Sequence, residues 1–200
     1  KRGSVHRTII AKKTSKKIFT STIPNCNPII RKPPVAGRSY PDDPDALRLL
    51  IDSFFEDESG PRDSPRGSGV VTGLVAPHID FGRGGPCFAW AYNELRDRDP
   101  ADVYVVLGTG HTSRNLFTTT RKVFETPLGD LEVDSTFVDR LAAYAPQDLF
   151  ADEIAHKNEH SIEFQVVFLK YLFPDSSITL YEFVNKIIKA VAVHTNKVST

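Results

Sequence analysis

Two short apolar runs separated by a helix-length segment constrain this chain most. VVTGLVAP (70–77) and DVYVVLG (102–108) are continuous rather than alternating in apolar residues, the pattern of strands covered on both faces. GPCFAWAYNELRDR (85–98) between them reads as a helix. Strand, helix and strand within residues 70–108 make a βαβ unit with two parallel strands and a right-handed crossover. The expected fold class is therefore α/β, a central, mostly parallel sheet flanked by helices. In such sheets ligands bind outside the carboxyl ends of the strands. His78 in APHID and His111 in GTGHT stand just past the two strands, so the fold can bring them together on one edge. Pro77 stiffens one approach, while Gly108 and Gly110 let the other backbone turn tightly. Two neutral imidazoles converging in a pocket are a start for a transition-metal site. A loop hydrogen bond is the alternative role for each histidine taken alone.

The flanking sequence supplies the helices. In SYPDDPDALRLLIDSFF, Asp43 is a candidate N-cap and Pro44 suits the first helical position. Leu47, Leu50, Ile51, Phe54 and Phe55 then recur at amphipathic-helix spacing. DESGPRDSPRGSG (57–69) is a surface loop inside one domain. LFTTTRKVFETPLGDLEV reads as extended with a turn at Pro127–Gly129, and Asp134 or Ser135 caps a helix over TFVDRLAAYA. SIEFQVVFLKYLF (161–173) is a strongly apolar helix, ITLYEF (178–183) a strand, and VNKIIKAVAV helix-like. Cys87 and Trp90, in the helix between the two strands, read as buried core.

Charge divides the chain. Lys and Arg number 25, as do Asp and Glu, yet residues 1–33 hold nine basic residues and no acid, leaving a net −9 on the remaining 167. The basic segment shows neither helical nor strand periodicity and reads as a solvated leader, with a nucleic-acid arm or an organelle transit segment as the alternatives. Three segments result: a disordered leader (1–33), an α/β domain (34–176) with order beginning near Val35, and a divergent C-terminal segment (177–200). The acidic domain argues against nucleic acid as its partner. No apolar run approaches the roughly 18–20 residues that span a bilayer. Cys26 and Cys87 are the two cysteines, too few for a disulfide scaffold or a four-cysteine zinc site. A cytoplasmic location is expected, with organelle targeting by the leader as the alternative. The chain opens on Lys1 and contains no Met, which reads as part of a longer reading frame or a processed product. Nothing in the pattern specifies an oligomeric state.

A third cluster is HKNEHSIE, with His156, Glu159, His160 and Glu163. At about 100° per residue, Glu159, His160 and Glu163 share one broad face at a helix start. Carboxylates favour a helix N-terminus in any case. A histidine beside two carboxylates is also a ready general base, or an anchor behind a metal-bound ligand. Asp80, two residues after His78, is a candidate ligand or an Asx-turn residue.

VAGRSYP, APHIDFGRGG, LGTGHT, FETPLGDLEVD and HKNEHSIEFQ, in this order and spacing, resemble the Memo family, named after a mediator of cell motility. Its bacterial members are called AmmeMemoRadiSam system protein B. The resemblance covers residues 34–175 and implies a fold similar to the class III extradiol dioxygenases, the LigB-like group. It also implies a pocket holding copper or iron, with metal-dependent redox activity, and a small-molecule or peptide ligand is the expected partner. Motif by motif, it implies that His78 and His111 are metal ligands and that His160 is an acid–base residue, accompanied by Glu159 and Glu163 on the catalytic side. A non-catalytic scaffold that binds a peptide or small ligand in the same pocket is the alternative.

Two departures from the family pattern bear on the site. Many members have A-P-H-A-G-Y where this chain has APHIDF, so Asp80 is not a family-wide ligand. The family also continues past ITLYEF with a third ligand, a Cys or a carboxylate, and a D-x-x-H segment. FVNKIIKAVAVHTNKVST matches neither, and the surroundings of His194 do not make it a substitute. The expectation is a C-terminally truncated fold, a weakly metallated site and an unpaired sheet edge.

Overall fold

Non-local pairing decides the architecture. The computed structural model describes residues 7–13, 29–101, 103–174 and 180–184, with side chains described for 29–101 and 103–174. In chain order the elements are β1 (Arg7–Lys13), β2 (Ile30–Arg31), α1 (Pro44–Glu56), β3 (Gly73–Pro77), α2 (Phe81–Asn93), β4 (Val103–Gly108), β5 (Val123–Phe124) and α3 (Ser135–Tyr144). A 3-10 helix (Glu153–Lys157), α4 (Glu163–Leu172) and β6 (Leu180–Val184) complete the set. The main sheet has the order β3-β1-β4-β6. β1 runs antiparallel to both neighbours, with Ile9 opposite Val75 on one side and Leu107 on the other, and β4 pairs with β6 in parallel. Thus β3, β4 and β6 share one direction, as the α/β reading requires, and β1 alone opposes them.

That wedge corrects the reading of residues 1–33 as a solvated leader. Composition there is dominated by lysine and arginine, but Thr8–Ala11 is a short uncharged run rich in β-formers. Between two strands it satisfies backbone donors and acceptors on both of its sides at once. Order also precedes Val35, because β2 pairs in parallel with β5 through Ile30–Val123 and Arg31–Phe124, and Arg31 is buried. Cys26, His194 and most of VNKIIKAVAV lie outside the described residues.

The core forms where α1, α2 and α4 cover one face of the sheet. Leu47, Ile51, Phe54 and Phe55 of α1 are buried as their spacing predicts, against Phe81, Phe88 and Tyr92 of α2 and Phe164 and Phe168 of α4. From the sheet, Ala76, Tyr104 and Val106 join them. Phe81 is the hub, its ring centroid 5.2 Å from Phe88 and Phe168, 5.3 Å from Tyr40 and 5.4 Å from Phe164. A Cβ at Gly85 would collide with the Phe54 ring, so glycine permits the close approach of α1 and α2.

Local signals place the starts of α1 and α3. Asp43 Oδ1 accepts from the Ala46 amide at 2.8 Å, and Asp134, rather than Ser135, caps α3 by accepting from Phe137 at 2.9 Å. The turn at residues 126–129 closes through Gly129 N to Thr126 O at 3.0 Å. α2 begins at Phe81, earlier than the apolar run suggests. Its outer face carries Cys87, which is exposed, and Trp90, 48% exposed with its indole N–H donating to Ser59 O at 2.7 Å. Both were expected in the core. The phase set by Phe81, Phe88 and Tyr92 leaves them on the opposite side. Among the described residues no helix is long and apolar enough to cross a membrane.

Candidate metal centre

Parallel β3 and β4 end on the same edge, and their following loops deliver His78 and His111. A third loop, just ahead of α4, delivers Glu159 and His160. The three imidazoles converge: ring centroids are 5.2 Å apart for His78 and His111, 6.0 Å for His78 and His160, and 4.5 Å for the stacked pair His111 and His160. Ligand atoms of His111, Glu159 and His160 all lie within 4.8 Å of one another. His78 is buried, whereas the side chains of His111 and His160 are 32% and 35% exposed. The cluster therefore has a closed floor and an open rim.

The segment before α4 ties the loops together. Glu159 Oε2 accepts from the His111 amide at 2.7 Å, and Oε1 accepts from His111 Nδ1 at 2.8 Å. The same Oε1 accepts from the amides of His160 at 2.8 Å and Ser161 at 2.9 Å. Ser161 Oγ donates to Thr109 O at 2.9 Å. A Cβ at Gly108 would collide with the Ile162 and Ser161 side chains, so the end of β4 must be glycine for these loops to meet. On the other side, Gln165 Nε2 donates to Pro77 O at 2.8 Å and its Oε1 accepts from Tyr92 at 2.9 Å, which anchors the residue preceding His78.

Charge follows the same contacts. Burial alone would raise the Glu159 pKa, but the His111 side chain and the amides of Ser161 and His111 outweigh it and hold the carboxyl down to about 2. The hydrogen bond to Glu159 pushes His111 up from its ordinary value. Burial pushes His160 down, helped by the charges of His111, Arg38 and Arg31 and opposed by Glu159. With Nδ1–H of His111 directed at a carboxylate, the acceptor lone pair of a neutral ring lies on Nε2.

This linkage has a testable sign. Because Glu159 titrates near 2 in the folded state against 4.5 ordinarily, its stabilising contribution is present above 4.5 and is lost as pH falls through that window. His111, raised, contributes below its ordinary 6.5 and loses that contribution as pH rises through its folded value. In metal-free protein the melting temperature of the wild type should fall more steeply between pH 4.5 and about 2 than that of Glu159→Gln. Parallel acid profiles for the two proteins would contradict the assignment.

Other residues read from the sequence have different surroundings. α4 begins at Glu163, so Glu159 and His160 precede the helix and the three do not share one helical face. Glu163 turns away from the imidazoles: it accepts from Tyr40 at 2.6 Å and from the Val35 amide at 3.2 Å, and pairs with Arg31 at 3.0 Å. Burial pushes its carboxyl up despite these partners. His156 is buried, and Thr118, whose hydroxyl donates to Leu149 O, accepts from His156 Nε2 at 3.1 Å. Asp80 pairs with Arg83 through contacts of 2.9 Å, a local pair that accounts for its carboxylate. Arg31 and Gln165 were missed. A glutamine inside the apolar run FQVVFL is the available signal, since a buried amide requires partners.

Comparison with known proteins gives the chain's relatives. A MEMO1 family protein of Methanopyrus kandleri is 39% identical over 152 residues, covering 73% of this chain and 53% of that protein. One from Desulfurococcus amylolyticus is 40% identical over 149 residues, covering 72% and 52%. One from Aquifex aeolicus is 34% identical over 149 residues, covering 74% and 38%. The chain thus spans about half the length of the first two relatives and less of the third. Residues 31–191, which include all three clustered histidines, match the family described as Memo-like protein, and the chain belongs to that family.

Proposed function

We propose that the cluster is a metal-dependent redox pocket on a fold of the class III extradiol dioxygenase type, taking copper or iron and acting on a small-molecule or peptide ligand. The convergence of His78, His111 and His160 from three loops, with Glu159 behind them, carries this reading. The donor pair His78 and His111 fits, because imidazole suits both copper and iron. The donor atoms of His111, Glu159 and His160 lie within 4.8 Å of one another, close to the roughly 4 Å between two ligands that each sit about 2.1 Å from one ion, and the His78 ring lies 5.2 Å from that of His111.

Such an ion would supply one-electron chemistry at the pocket. The chain supplies the rest. Glu159 orients His111 by holding Nδ1–H, and the rim formed by His111 and His160 admits a ligand. His160, kept neutral by burial, is the group able to accept a proton from that ligand. Oxygen uptake with ascorbate as electron donor tests the reading. Turnover is expected in wild type loaded with copper or iron and dialysed free of unbound ion, and not in the His78→Ala/His111→Ala double variant treated the same way. Equal background rates would overturn it and leave a binding scaffold.

A further inference from the structure

The guanidinium of Arg31 is 4% exposed and lies beneath the loop that carries Glu159 and His160. Its Nε donates to His156 O at 2.8 Å. Its Nη2 donates to Glu159 O and, at 3.0 Å, to Glu163 Oε2. Its plane also lies 4.8 Å from the centroid of Phe124. A buried ion pair by itself is a poor stabiliser, because desolvation offsets the Coulomb gain. What distinguishes this one is where its other donors go. Nε and Nη2 take two main-chain carbonyls that bracket residues 156–159, the stretch leading into the cluster, while the buried Nη1 makes no hydrogen bond among the described residues.

Glu159 is consequently held at both ends. Its carbonyl accepts from Arg31 and its carboxylate from His111. Arg31 belongs to β2, which pairs with β5, so the loop is fixed to a separate two-stranded sheet rather than to its own helix alone. Only a planar fork of donors reaches a carboxylate and two carbonyls from one side chain; a lysine ammonium is a single point.

We propose that Arg31 is a positioning residue of the metal centre, setting the backbone of residues 156–160 so that Glu159 and His160 face His111. The proposal rests on the metal reading above. Cobalt(II), titrated into the full chain and followed by its visible absorption, is the probe, compared among wild type, Arg31→Lys and Tyr40→Phe. Tyr40→Phe breaks another contact of the same Glu163 carboxylate but leaves Arg31 on both carbonyls, so it serves as the control for a purely structural role.

Arg31→Lys should weaken cobalt binding by about tenfold or more, the usual scale for lost support behind a ligand, and should alter the absorption bands. Tyr40→Phe should lower the melting temperature and leave cobalt affinity unchanged. If Arg31→Lys does not fold, Arg31→Gln combined with Glu163→Gln, a neutral hydrogen-bonding pair, takes its place. Wild-type affinity and spectrum in the arginine variant, or equal weakening in the tyrosine variant, overturns the positioning role alone. No cobalt uptake by wild type overturns the metal reading, and this proposal with it.

Discussion

His78→Ala together with His111→Ala should abolish copper(I) and iron(II) uptake by this chain. Loss of groups that merely support a ligand costs about 10–100-fold in metal affinity, so removing two donor imidazoles should cost more than about 100-fold. The fold should survive. Without the His111 ring, Glu159 still accepts from the main-chain amides of His111, His160 and Ser161, so no buried carboxylate is stranded. His78 is held in place by the β3 end, whose Pro77 carbonyl stays bonded to Gln165. Metal content after dialysis, measured beside the melting temperature, decides the matter. A double variant that melts near wild type and retains its metal would remove these two residues from the site.

Phe81→Ala should be the most destabilising single truncation in the core. Its ring is fully buried and meets aromatic rings from the turn before α1, from α1, from α2 and from α4. Such a truncation costs about 3–5 kcal/mol, partly as transfer and partly as cavity. At this chain length that corresponds to a fall of roughly 10 °C in melting temperature. The residue lies three positions after His78, and its amide donates to Ser39 O at 3.1 Å. Metal affinity measured well below the transition should therefore change less than stability. A shift of only 1–2 °C would show that the neighbouring rings close over the gap, contrary to the close packing described.

The meeting of His78 and His111 was legible in the sequence, because the signal and the geometry have the same source. A buried parallel strand announces itself as an apolar run, and parallel strands joined by a helix end on one edge. The fate of Glu163 was not legible. Its assignment depended on Glu159, His160 and Glu163 sharing the first turn of α4, and the helix begins at Glu163, which leaves Glu159 and His160 off it. Its true partners, Arg31 and Tyr40, lie 132 and 123 residues away in the chain, beyond the reach of any local pattern. Cys87 and Trp90 failed for a smaller reason: an apolar helix was recognised, but its phase is set by which residues meet α1 and α4. The basic segment misled because charge per residue is an average, and four uncharged residues suffice for a strand when two open ladders await them.

The position of β1 has a practical consequence for anyone cutting this gene. The strands that carry His78 and His111 are not hydrogen-bonded to each other; residues 7–13 stand between them, keeping them two ladder spacings, roughly 9.6 Å, apart. The family match starts at residue 31, so a clone trimmed to that boundary would delete the spacer and keep both strands. Direct pairing of β3 with β4 would require that gap to close, for which the His78 and His111 rings, already 5.2 Å apart between centroids, leave no room. The two strands that carry the clustered histidines are thus joined by a stretch of chain that lies outside the family match.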